Sequence, residues 1–279
     1  MSRETEKVFK ELHQYMEAHA DENMSEEEVD ELMQTFMQQY NENLQYNDNI
    51  IAETADDYLE MAEDATARGE ALKYAKKALE LEPDNLDARR LVVELTTDHP
   101  YEMIEEYQKL VVFGKEIMLK NGYMDENAMG DYWGILETRP FMRLCANYME
   151  TLIECGMMRV AASVGEELIR YNTNDNLGVR YTLMHIYAYL EDEDCMLNLY
   201  EKYNEHEETQ MLMPLSILYY KLGKLDRAEE YLKSLVKINK DTGRFIRAVL
   251  NDSLEKYIDR MSDMGYRPYS IEEFIVELN

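Results

Sequence analysis

Apolar residues return every three or four positions along almost the whole chain, the spacing that lays them along one side of a helix. Val8, Phe9, Leu12, Tyr15 and Met16 form the first such stripe and predict a helix over 4–19. Val29, Leu32, Met33, Phe36, Met37, Tyr40 and Leu44 form a second. Ser25 and Glu28 open it at the spacing that lets each side chain bond the other's backbone, and the Asn-rich stretch 41–49 ends it. Two antiparallel amphipathic helices therefore open the chain (1–50).

A helix–turn–helix pattern follows over 51–99. Ala55, Tyr58, Leu59 and Ala62 mark a forward helix, Gly69 a turn, and Ala71, Ala75, Ala78 and Leu79 a return helix closed by Pro83 and Asn85. A long stripe from Met103 to Met118 predicts one helix over 101–121, which Gly114 interrupts without ending. It reads either as a spacer or as the return helix of an irregular hairpin. The Gly- and Trp-bearing stretch 122–137 predicts a structured loop, completing a connecting region over 100–137. Thr138 is placed to cap the next helix, with Pro140 in its first turn.

Hairpins then recur through 138–241. The turns fall at Gly156, at 172–176 and at Gly223, and the return stripes carry Ala161, Gly165 and Leu168, then Met196 and Leu199, then Ala228, Leu232 and Leu235. Beyond these, over 242–279, Ile246 to Met261 predict one helix across 243–264 stopped by Gly265. Ser270 and Glu273 predict a short terminal helix over 271–278.

The order Leu215, Ser216, Tyr219, Gly223, Ala228, Leu232, Leu235, Asn239 resembles one tetratricopeptide repeat (TPR), a 34-residue helix–turn–helix unit. The pattern recurs at 52–85, at 142–173 and, more loosely, at 176–205. The block Trp133-Gly134-Ile135-Leu136-Glu137-Thr138-Arg139-Pro140-Phe141-Met142-Arg143 is similar to one in prokaryotic TPR proteins of poorly defined function, as is Gly178-Val179-Arg180-Tyr181 after its Asn-rich turn. The resemblance implies an all-α solenoid of helical hairpins with extra N- and C-terminal helices. Such a fold serves binding and not catalysis. Some relatives carry a cysteine-rich zinc segment, which this chain lacks.

Charge narrows the partners. Asp and Glu number 58 against 29 Lys and Arg, a net charge of −29, which repels nucleic acid and an anionic membrane surface. The plain consequence is a hydrated surface, and the sharper one is a groove for basic peptides. No apolar run is long enough to span a membrane, and the charged start at 1–10 lacks a signal-peptide core; the expected location is the cytoplasm. Cys145, Cys155 and Cys195 read as reduced thiols among apolar neighbours.

Catalytic patterns are missing. Gly114-Lys115 lacks the rest of a phosphate loop. The histidines His13, His19, His99, His185 and His206 are scattered, and the Asn172–Asn176 turn lacks the final carboxylate of a calcium loop. No enzyme, cofactor or metal is expected. Candidate partner contacts come instead from forward-helix positions between the packing residues, which face the inner surface of an array: Arg143, Asn147, Arg180, Tyr181, Met184, Tyr187, Gln210, Met213, Ile217 and Tyr220. Aromatic, Met and Arg side chains suit a peptide site; for Tyr187, Ile217 and Tyr220 packing within the protein is an equal reading. The matching acids at 53–64 read as a solvated face. The expected function is a protein-interaction scaffold. A ligand-sensing or transcription-linked regulator is the alternative, and self-association stays open because array ends expose apolar faces.

Overall fold

The computed structural model describes residues 3–21, 24–46, 52–203, 207–261 and 265–276. Among them the chain is all-α, a TPR-like succession of packed helical hairpins. It divides into two compact units, Met1–Cys155 and Gly156–Asn279. Isolated bridge residues occur, but no strand is found among the described residues.

The first unit begins with α1 (Arg3–His19) and α2 (Glu26–Tyr46), which pack together, with the Tyr15 ring 5.4 Å from that of Phe36. The Ser25–Glu28 capping box is present: Ser25 N donates to the Glu28 carboxylate and Glu28 N to Ser25 Oγ. α2 ends at Tyr46, within the Asn-rich stretch 41–49.

A forward helix α3 (Ala55–Asp64) and a return helix α4 (Arg68–Leu81) follow. Ala75 and Ala78, both fully buried, let the two helices approach closely around Leu59 and Ala88. Gly69 lies inside the first turn of α4, so the bend itself falls at Ala65–Ala67. Then come α5 (Leu86–Thr96), the long α6 (Pro100–Lys120) and α7 (Arg139–Glu154). The long helix is a return helix: α6 packs on both α5 and α7. Gly114 is what allows this, because a Cβ there would stand 2.7 Å from the buried ring of Phe141 on α7.

The loop before α7 is built on a buried tyrosine. Tyr132 donates from its hydroxyl to the Tyr123 carbonyl, and Thr138 donates to the carbonyls of Tyr132 and Ile135. Thr138 therefore anchors the loop and does not cap α7 as its position suggested.

The second unit alternates α8 (Met158–Tyr171), α9 (Val179–Leu190), α10 (Glu193–Tyr203), α11 (Thr209–Lys221) and α12 (Leu225–Ile238). Its three return helices all start the same way. Gly156, Glu191 and Gly223 each hold a left-handed backbone, φ 70°, 60° and 70°, two residues before α8, α10 and α12 begin. The last two turns close alike, with Asp192 N bonding to Tyr187 O and Lys224 N to Tyr219 O, the bond that satisfies the end of a helix.

The C-terminal helix expected across 243–264 is broken. One helix, α13 (Thr242–Leu250), ends at a turn where Asp252 has φ 49°, and α14 (Glu255–Ile258) follows. Ser253 rather than a helical residue accepts this role: its N and Oγ both donate to the Ala248 carbonyl. The final helix α15 (Ile271–Val276) packs Ile271, Phe274 and Ile275 against Leu212, Met213, Leu235 and Phe245. The predicted end of that helix at Leu278 lies outside the described residues, as do His206 and Met264.

Candidate functional site

In the second unit the forward helices α9 and α11 lie side by side and are braced at both ends. At their N-termini Tyr181 donates to Glu208 at 3.0 Å, and the Arg180 guanidinium approaches the same carboxylate at 3.6 Å. At their C-termini Lys221 Nζ donates to the carbonyls of Ala188 at 2.7 Å and Tyr189 at 2.9 Å. N-terminus meets N-terminus and C-terminus meets C-terminus, so the two helices run parallel. That is what a hairpin repeat requires of successive forward helices.

The braces settle where several candidate side chains point. Arg180 donates to Asp175 at 3.0 Å and its guanidinium stacks 4.1 Å and 5.5 Å from the rings of Tyr181 and Tyr203. Asp175 in turn accepts from the backbone N–H groups of Val179 and Arg180 and so caps α9. Burial pushes the Asp175 carboxyl up against these bonds. Burial also raises the phenols of Tyr181 and Tyr203, the latter to about 12, so both stay protonated donors. Arg180 and Tyr181 therefore hold the turn together and are not free partner contacts.

Met184, Tyr187 and Met213 are buried as well. The Tyr187 hydroxyl donates to Glu166 of α8, and Met213 packs under α13 and α15. Gln210 is half-buried. What remains open is the C-terminal half of the pair. Ile217 is 43 % exposed, Tyr220 71 % and Tyr189 64 %. Tyr189 was not singled out from sequence.

In the first unit the forward helices α3, α5 and α7 carry the other two candidates, and this face is occupied. Arg143 clamps two carboxylates. Its Nη1 lies 2.9 Å from both oxygens of Glu6, and its Nε and Nη2 donate to Asp87 at 3.0 and 2.6 Å. Arg139 reaches Glu6 at 3.4 Å. Asn147 donates to Glu94, which also accepts from the buried Tyr107 hydroxyl. Lys7 bonds Asp57 at 2.6 Å and Glu60 at 3.2 Å, and Lys10 bonds Asp56 at 2.8 Å. Three of the acids that read as a solvated face, Asp56, Asp57 and Glu60, are thus paired with α1.

The electrostatics follow from that pairing. Burial works to raise the Asp57 carboxyl, but hydrogen bonds from Lys7 and Thr54 prevail and hold it at about 2. Burial likewise opposes charge on Lys7 and Arg143, and their carboxylate partners overcome it and raise both.

These arrangements define an all-α, TPR-like array of helical hairpins. No helix among the described residues is long and apolar enough to cross a membrane. No family model matches the chain and no curated protein matches it. Solved structures do match, among them the crystal structure of MamA protein, at 17% identity and a TM-score of 0.46, covering 69% of this chain and 95% of that one.

Proposed function

We propose that the protein is a non-catalytic interaction scaffold that binds a peptide or protein surface through the forward-helix face of its second unit. The observation that carries this reading is the exposure of Tyr189, Ile217 and Tyr220 on two helices braced parallel at both ends. Large side chains left open on a rigid support bind at low entropic cost, and aromatic anchors dominate interface energies. The net charge of −29 steers a basic partner toward the molecule.

Ile217→Glu combined with Tyr220→Ala tests the site. Both positions are exposed, so stability should change by no more than ~0.5 kcal/mol each. A partner co-purified with the wild-type protein from its native cell should be lost by this variant. It should be retained by a Tyr101→Ala control, which removes an equally open tyrosine from the first unit. Retention by the double variant removes the site.

A self-associating form is supported by a different surface. Leu225, Leu232 and Val236 of α12 and Ile246, Val249 and Leu250 of α13 are all exposed. They form the kind of end face that another copy of the chain would cover. Sedimentation velocity of Leu232→Asp beside wild type checks this: a shared monomeric value for both proteins counts against it.

A further inference from the structure

The forward-helix face of the first unit already holds a helix. Three charged residues of α1 touch the two outer forward helices: Glu6 meets Arg139 and Arg143 of α7, Lys7 meets Asp57 and Glu60 of α3, and Lys10 meets Asp56 of α3. Arg143 ties the contact to α5 through Asp87. Glu6 and Asp87 are buried, so their charges are withdrawn from water and must be matched.

Ion pairs of this kind contribute little net stability against apolar packing of the same volume, while a wrong partner at the same place leaves a buried charge unpaired. They select more than they hold. The apolar side of α1 is engaged elsewhere, for Tyr15 packs on Phe36 of α2. The hairpin α1–α2 therefore docks by a charged edge, and the face it docks on reads a pattern: an acid, a lysine one position on, and a second lysine one turn after the acid.

We propose that the α3–α5–α7 face is a recognition site for a partner helix bearing this acid–Lys–x–x–Lys pattern, and that α1 is its resident occupant in the free protein. A partner helix with the same three charges displaces α1 by competing for Arg143, Asp57 and Asp56. Because the resident must leave first, the apparent affinity for an added helix is lowered by the fraction of time the face is open.

The test uses the full chain and a fluorescein-labelled synthetic peptide of residues 3–20. Lys7→Glu with Lys10→Glu turns two attractions into repulsions and frees the face without altering it. Anisotropy should show the peptide binding this variant about tenfold or more tighter than wild type. Binding should vanish when Arg143→Glu is added, and a peptide with Glu6 and Lys7 exchanged should not bind. Equal affinity for wild type and the released variant, or equal affinity for the exchanged peptide, overturns the proposal. Should the released variant fail to fold, wild type answers alone. Excess native-sequence peptide at about 0.05 M salt should speed hydrogen exchange along α1, and about 0.5 M salt should do so without peptide. Exchange along α1 unmoved by both overturns it equally.

Discussion

At the scale of single residues, backbone conformation explains why one repeat was plain in the sequence and its neighbour was not. Gly223 occupies a left-handed turn where glycine is at ease, and that glycine revealed the last hairpin. Glu191 holds the same conformation one repeat earlier, and a glutamate there gives no turn signal. The strain suggests a gain. Glu191→Gly should stabilise the second unit by about 1 kcal/mol, the approximate cost of a left-handed conformation for a residue with a Cβ. The surface contact it gives up, to Lys221 at 3.5 Å, is worth little. A rise of about 2–4 °C in melting temperature is the expected reading. Gly114 is the opposite case. Alanine favours a helix, yet its Cβ would press on Phe141, which is buried and has nowhere to turn. Gly114→Ala should destabilise the first unit by about 1–3 kcal/mol, measured by urea denaturation; a stabilised variant would show that α6 and α7 are not in this contact. The candidate contacts Arg180 and Tyr181 were legible as polar residues on a forward helix. Their role was not, because it depends on Asp175 and Glu208, which reach them only once the turn has closed.

At the scale of elements, small residues mark the crossings. Ala228 is buried where α12 meets α11, the most intimate helix pair of the second unit. Ala228→Asp would bury a carboxylate without a partner, and a loss of about 2–4 kcal/mol follows. Loss of helical circular dichroism at a lower temperature checks it, and an unchanged melting curve would contradict the register. Periodicity located nearly every helix because stripes of this length have one reading. It failed across 243–264, where apolar residues keep helical spacing on both sides of a break. The break rests on Asp252, another left-handed residue that is not glycine, and on Ser253 taking the Ala248 carbonyl. A stripe records which side chains are apolar and is blind to a turn between them. Pro214 was equally silent: it lies buried within α11, where its missing N–H leaves one carbonyl of the first turn without its usual donor.

At the scale of the whole molecule, acidity has a structural use that composition alone concealed. The net charge of −29 suggested a hydrated exterior, but part of it is spent holding α1. The pH dependence of that hold follows from its two partners. Asp57 is depressed to about 2 from an unfolded value near ~3.9, so its contribution is complete above that unfolded value and disappears as pH falls through about 2. Lys7 is raised, so its contribution is complete below its unfolded value near ~10.4 and fades only above it. Hydrogen exchange along α1, corrected for its intrinsic pH dependence, should be flat from about pH 5 to about pH 9 and accelerate below about pH 4. Asp57→Asn should already exchange faster at neutral pH, with a weaker response to acid. The inner face itself was legible in the sequence, since Arg143 and Asn147 do lie on forward helix α7. Its occupant was not, because no local pattern tells a chain that its sixth residue meets its 143rd.

The lone indole of the chain stands at the edge of that contact. The Arg139 guanidinium lies 5.1 Å from the Trp133 ring, donates to the Trp133 carbonyl, and extends its other end to Glu6. Departure of the N-terminal helix would take the Glu6 carboxylate away from that cation and alter the field across the ring. Intrinsic emission excited at the red edge of the tyrosine background would then report, without a dye and in a single cuvette, whether the seat is taken.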